Sequence, residues 1–303
     1  MLGKSDTMQR MSYRVVLCAL LCWSTAAAAD VRVVATIFPV ADLVRQIGHD
    51  AVEVTTLLPA GASPHTFEPA PEQVRAVAQA AVFVEVGAGL DTWAEKLRTA
   101  RSGPLAVVTL ATGLPLLQAA PEHGDPHGGE QHGGDPHVWL DPILVRDHCV
   151  PAILRALIQA DPGRQAVFQQ GASDLAAALT RLDTDMRGAL AAVTNRNYVA
   201  FHAAWRYFGK RYDLREVGVV ESFPGKEPSA REVAALIEQA RAAGVRAVLI
   251  EPQFTPRMAE QIAHDIGAHL AVVDPLGGPD LPGRSHYLDL MRYNVQAFVK
   301  ALQ

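Results

Sequence analysis

Cysteine is nearly missing from this sequence: three residues in a chain of 303, against eleven histidines. Cys18 and Cys22 fall in an N-terminal stretch that reads as a cleaved signal, so the mature chain keeps only Cys149. An internal disulfide is thereby excluded even in an oxidising compartment, and so is a cysteine-rich metal site. Basic charge is not in excess either. The formal charge is −5, which argues against a nucleic-acid binder, since such proteins use net basic stripes to displace counterions from phosphates. A long apolar run is also lacking. The longest begins at Val15 and ends at Trp23, well short of the ~20 residues a membrane helix needs.

That short run is itself informative. Lys4, Arg10 and Arg14 precede it and the small residues Ala26 to Ala29 follow it, just before Asp30. Residues 1–29 therefore read as a secretory signal, which directs the protein out of the cytoplasm. Removing them leaves 24 basic and 31 acidic residues, a formal −7. Lipid attachment at Cys22 is disfavoured, because Leu20 and Leu21 stand where a small residue is wanted.

From Val31 onward, apolar β-type runs alternate with amphipathic stretches, the pattern of βαβ units on a parallel sheet. Strands are expected at Val31 to Ile37, Val52 to Leu58, Ala81 to Val86 and Leu105 to Leu110. A second block repeats the pattern at Tyr198 to Phe201, Glu216 to Val220, Arg246 to Ile250 and Leu270 to Val273. Between the blocks, Gln165 to Val193 lacks proline and carries apolar residues at Leu175, Leu179, Leu182, Met186 and Leu190, a helical spacing. At 1.5 Å per residue it would span roughly 44 Å and tie the blocks together. Gly171 and Gly188 each weaken that helix by on the order of 1 kcal/mol. The expected organisation is a lobe over 30–160, a linking helix over 161–194 and a second lobe over 195–303. Residues 122–136 hold no apolar side chain and are expected as a surface loop of the first lobe.

Histidines concentrate in two settings. His123, His127 and His132 lie in that loop among Glu122, Asp125 and Glu130, a composition that binds metals loosely. A solvated polar loop or a tag remnant is the plainer reading, but tags are usually terminal and uninterrupted, so the metal-binding reading is favoured. The other set sits at strand ends. His65 follows the second strand, His137 follows the loop, His202 directly ends the strand at Phe201, and Asp274 directly ends the strand at Val273. In open parallel sheets ligands bind beyond the carboxyl ends of the strands, so two facing sheets would bring these four into one cleft. Three imidazoles and a carboxylate suit a tetrahedral zinc ion. The separations along the chain are long, however, and for any single histidine a structural role is the commoner outcome. His49, His148, His264, His269 and His286 are given that role.

At these residues the chain resembles the metal-binding proteins that feed bacterial ABC importers of zinc and manganese. The resemblance is carried by Ala35-Thr36-Ile37-Phe38-Pro39, Pro64-His65 with Glu68-Pro69, and Asp135-Pro136-His137-Val138-Trp139-Leu140-Asp141-Pro142. It continues through Phe201-His202, Glu227-Pro228-Ser229-Ala230, Glu251-Pro252-Gln253-Phe254 and Asp274-Pro275-Leu276-Gly277. It implies an α/β protein of two (β/α)4 lobes with parallel sheets, joined by a long rigid backbone helix, with one metal between the lobes. It implies further that His65, His137, His202 and Asp274 are the ligands of a Zn2+ ion. Manganese members of that family typically have glutamate where this chain has His202, in keeping with imidazole being the better donor for zinc. A short insertion and the lack of a second-lobe disulfide pair depart from the best-known zinc members.

The expected function is therefore that of a periplasmic zinc carrier, a monomer and not an enzyme, serving an ABC membrane permease. A periplasmic zinc metallochaperone is a further expected partner, and nucleic acid is not one. The loop histidines would recruit zinc for His137. Neutral imidazole is the binding form, so affinity should fall as pH drops through the histidine range near 6.5. Three alternatives stand beside this. One is a manganese- or iron-binding member of the same family. Another is a secreted zinc hydrolase with Glu68 or Glu251 as general base, for which the sequence lacks a His-Glu-x-x-His helix. The third is a surface adhesin.

Overall fold

The computed structural model describes residues 30–118, 134–221, 225 and 227–303. The expected signal at 1–29 lies outside them. The first lobe runs β1 (Val31–Ala35), α1 (Phe38–Gly48), β2 (Val52–Thr56), α2 (Pro71–Gln79), β3 (Val82–Glu85), α3 (Trp93–Thr99) and β4 (Ala106–Thr109). A connecting segment follows: α4 (Pro142–Leu144), a π-helical stretch Val145–Cys149 and α5 (Val150–Ala160). Then come α6 (Gln165–Leu190) and the second lobe, with β5 (Asn197–His202), α7 (Arg206–Tyr212), β6 (Arg215–Glu221), α8 (Ala230–Ala242), β7 (Ala247–Ile250), α9 (Arg257–Ile266), β8 (His269–Val272) and α10 (Tyr287–Leu302).

Each lobe has a four-stranded, wholly parallel sheet, ordered β2-β1-β3-β4 in the first and β6-β5-β7-β8 in the second. The order reverses beside β1 and beside β5, and crevices at such reversals are where α/β sheets bind ligands. Central strands β3 and β7 are buried at every position, which is why they read as unbroken apolar runs in the sequence.

A shared core holds the lobes together. Leu175, Leu179, Leu182, Met186 and Leu190 of α6 pack with Ile47 of α1 and with Met291, Val295 and Phe298 of α10 in one buried cluster. Gly171 is required there. A Cβ at this position would lie 2.3 Å from the carbonyl oxygen of Ile47, so the glycine that weakens the helix locally is what lets α1 pack against it. Asp42 of α1 reinforces the contact from the other side, its carboxylate accepting the Tyr287 N–H at 2.7 Å where α10 begins. Helix α6 stops at Leu190, three residues before the expected end. No helix among the described residues is long and apolar enough to cross a membrane.

Candidate metal centre

The segment carrying His65 follows β2 and has no regular structure of its own between Leu57 and α2. It is pinned by α3, because the Trp93 indole N–H donates to the Pro64 carbonyl at 2.9 Å and the Phe67 ring meets the Trp93 ring edge-on at 4.9 Å. His137 opens the turn Val138–Leu140. Next to it, the Trp139 indole N–H donates across the cleft to the Pro275 carbonyl at 2.7 Å, and the Tyr287 hydroxyl donates to the Trp139 carbonyl at 2.7 Å. His202 is the last residue of β5. Two lobes therefore supply the three rings, each from the carboxyl side of a sheet.

The rings converge. Their centroids lie 5.5 Å apart for His65 and His137, 5.0 Å for His65 and His202, and 5.0 Å for His137 and His202. One nitrogen from each falls within 4.8 Å of the others. The rings line a cavity of about 20 Å³ with Trp139, Glu251, Gln253, Phe254, Pro275 and Leu276. Space of that size holds one water or one ion.

Burial sets the protonation of two of these rings. It drives His65 down to about 3, assisted by the neighbouring His137. It drives His202 well below the usual histidine range, assisted by His137 and His65. Both are neutral at physiological pH, the form that donates a lone pair to a metal. The expectation of a general titration near 6.5 thus needs correction for these two. Asp135 fixes the tautomer of His137: the Nδ1–H donates to its carboxylate at 2.8 Å, leaving Nε2 as the free donor. Glu251 stands behind His202, its Oε1 3.9 Å from Nδ1 and accepting the Trp205 indole N–H at 2.9 Å. Its Oε2 has no hydrogen-bond partner among the described residues, and burial pushes the carboxyl up to about 8.

Asp274 is placed differently. It lies two residues beyond the end of β8 and is 2% exposed, yet it is not among the three side chains whose donor atoms converge. Its Oδ1 accepts the N–H groups of Leu276 and Gly277, both at 2.9 Å, and its Oδ2 accepts from Arg284 at 2.9 Å. His123, His127 and His132 lie outside the described residues. Of the expected 122–136 loop, Asp135 belongs to the folded body. It is 3% exposed, and its N–H donates to the Leu117 carbonyl at 2.7 Å. His49, His148, His264, His269 and His286 are all exposed. Asp135 is the supporting residue that sequence reasoning missed as such. The available signal was its place two residues before His137.

A family model described as zinc-uptake complex component A, periplasmic, matches residues 33–301. The chain belongs to this family. It is 28% identical over 292 residues to the high-affinity zinc uptake system protein ZnuA of Bacillus subtilis strain 168, covering 92% of this chain and 91% of that one. It is 29% identical to the zinc-binding lipoprotein AdcA of Streptococcus pneumoniae serotype 4, covering 93% of this chain and spanning 58% of AdcA's length. A crystal structure of an internal deletion mutant of ZnuA, solved with zinc bound, superposes with a TM-score of 0.77 at 29% identity, covering 90% of this chain and 98% of the other. The two lobes, their parallel sheets and the long connecting helix are those of ZnuA-type structures.

Proposed function

We propose that this protein is the solute-binding component of a zinc ABC importer, capturing Zn2+ in the periplasm between His65, His137 and His202 and handing it to the membrane permease. The observation that carries this is the convergence of three imidazoles from two lobes on a cavity of about 20 Å³. Imidazole donors favour zinc over manganese. One chain supplies all three rings, in keeping with a monomeric carrier.

Metal analysis of the purified protein, with competition titration of zinc against manganese, tests the reading. Wild type should prefer zinc strongly, and His202→Glu should narrow that preference. Equal preference by the wild type would sink the zinc assignment.

A further inference from the structure

Asp274 stands at the carboxyl end of β8, and the next two residues, Pro275 and Leu276, form the cavity wall. Its own carboxylate is outside both the converging donors and the cavity lining, and turned toward the cavity it would supply the fourth ligand that three imidazoles leave missing from a tetrahedron. Its carboxylate is nevertheless fully engaged elsewhere, with two backbone N–H groups on Oδ1 and the Arg284 guanidinium on Oδ2. Arg284 depends on that contact. Its Nε is buried without a hydrogen-bond partner among the described residues, and its remaining support is the Tyr293 ring 4.9 Å from the guanidinium carbon. The loop joining these two residues folds back on itself through the Gly278 N–H to the Arg284 carbonyl at 3.2 Å. It also faces the other lobe. A Cβ built on Gly278 would lie 3.5 Å from that of Ala60, in the segment leading to His65.

We infer that Arg284 is a positioning residue that competes with zinc for the Asp274 carboxylate, and so holds the affinity of the site below what its donor set allows and speeds release. The inference rests on the zinc-carrier reading. When Asp274 turns to the ion, Arg284 loses its counter-charge beside a divalent cation, and that loss opposes binding. An importer component gains by it, since the ion must leave again at the permease.

The test uses the mature chain, with zinc titrated against a chelating competitor and dissociation followed in a chelator trap, for wild type, Arg284→Met, Arg284→Lys, Asp274→Ala and the Arg284→Met/Asp274→Ala pair. Asp274→Ala should weaken binding. Arg284→Met should tighten it about tenfold, equivalent to 1.4 kcal/mol, through slower dissociation. Arg284→Lys should fall between wild type and Arg284→Met, and it carries the test alone should Arg284→Met fail to fold. In the Asp274→Ala background the Arg284 substitution should have no effect, because the pair acts as one unit. Equal or weaker zinc binding by Arg284→Met, or the same tightening without Asp274, overturns the inference and leaves the three-histidine site standing. If wild type and His202→Ala bind zinc alike, the zinc reading itself falls and takes this inference with it.

Discussion

The His137 Nδ1 lies 2.8 Å from an Asp135 carboxylate oxygen that also accepts the His137 backbone N–H at 3.0 Å. One side chain thus fixes the ring's tautomer, its orientation and the position of its backbone. Carboxylate support of this kind typically contributes 10–100-fold in metal affinity. Asp135→Ala is therefore expected to weaken zinc binding by roughly that factor, and Asp135→Asn by less, because its amide oxygen still accepts from Nδ1. Competition titration against a chelator measures both, and an Asp135→Ala protein that binds like wild type would refute the coupling.

The metal-free fold is sensitive to pH through its buried histidines. His65 is driven down to about 3 and His202 well below the usual range, both chiefly by burial. In the unfolded chain each would take a proton near 6.5. Lowered folded-state values mean that the unfolded state binds more protons below that pH. The contribution is fully present above about 6.5 and is lost as pH falls. At pH 5 the loss is on the order of 2 kcal/mol for His65, and His202 adds to it in the same direction. Glu251, pushed up to about 8, works in the opposite sense, so the informative quantity is a difference. Denaturant melts of metal-free wild type between pH 7 and 5 should show a steeper loss of stability than melts of His65→Asn/His202→Asn. Parallel pH dependences in the two proteins would show that the rings are not held neutral.

All eight strands among the described residues are legible in the sequence: the central β3 and β7 are buried at every position and read as continuous apolar runs, while β2, β4 and β8, only partly buried, still show as short apolar or β-branched stretches between turn signals. The segment from Pro142 to Ala160 is not. Val145, Cys149, Val150, Ile153 and Leu157 are all buried there, but the π-helical stretch at Val145–Cys149 shifts the spacing by a residue, and Pro151 suggests a break. The backbone stays in the right-handed helical region through Leu144, Cys149 and Val150, so that proline lies inside one continuous helical run, directly after the π-helical stretch that accommodates its ring and missing N–H. Placing His65, His137, His202 and Asp274 at strand ends is possible from sequence, since the sheet pattern predicts which ends share a side. That Asp274 is bound to Arg284 is not legible. It depends on how ten residues of irregular loop fold back.

The glycines of α6 give opposite signs for one substitution. At Gly171 a Cβ would lie 2.3 Å from the Ile47 carbonyl oxygen, whereas at Gly188 nothing lies within 4 Å. Gly188→Ala should stabilise the protein by about 0.5–1 kcal/mol through helix propensity alone. Gly171→Ala gains the same propensity but must push α1 away, an overpacking penalty of roughly 1–3 kcal/mol, so it should destabilise or at best break even. Thermal melts of the two variants, compared with wild type, decide it. A clearly stabilised Gly171→Ala would mean that α1 and α6 are not packed this tightly.

The two ends of the chain that flank 119–133 meet on the second lobe. The Tyr207 hydroxyl accepts the Leu117 N–H and donates to the Asp135 carbonyl, both at 3.0 Å, and Arg206 donates to the Gln118 carbonyl at 2.6 Å. With the Asp135 N–H on the Leu117 carbonyl at 2.7 Å, described residues close these ends on each other. Deleting Glu122 to Gly134 and rejoining the ends with a short glycine linker should therefore leave the cleft affinity within about threefold, while lowering the number of weakly held zinc ions or slowing loading. Stoichiometry at saturating zinc and stopped-flow loading separate these effects. Loss of tight binding on deletion would mean that the loop histidines belong to the main site, and that the three converging rings are only part of it.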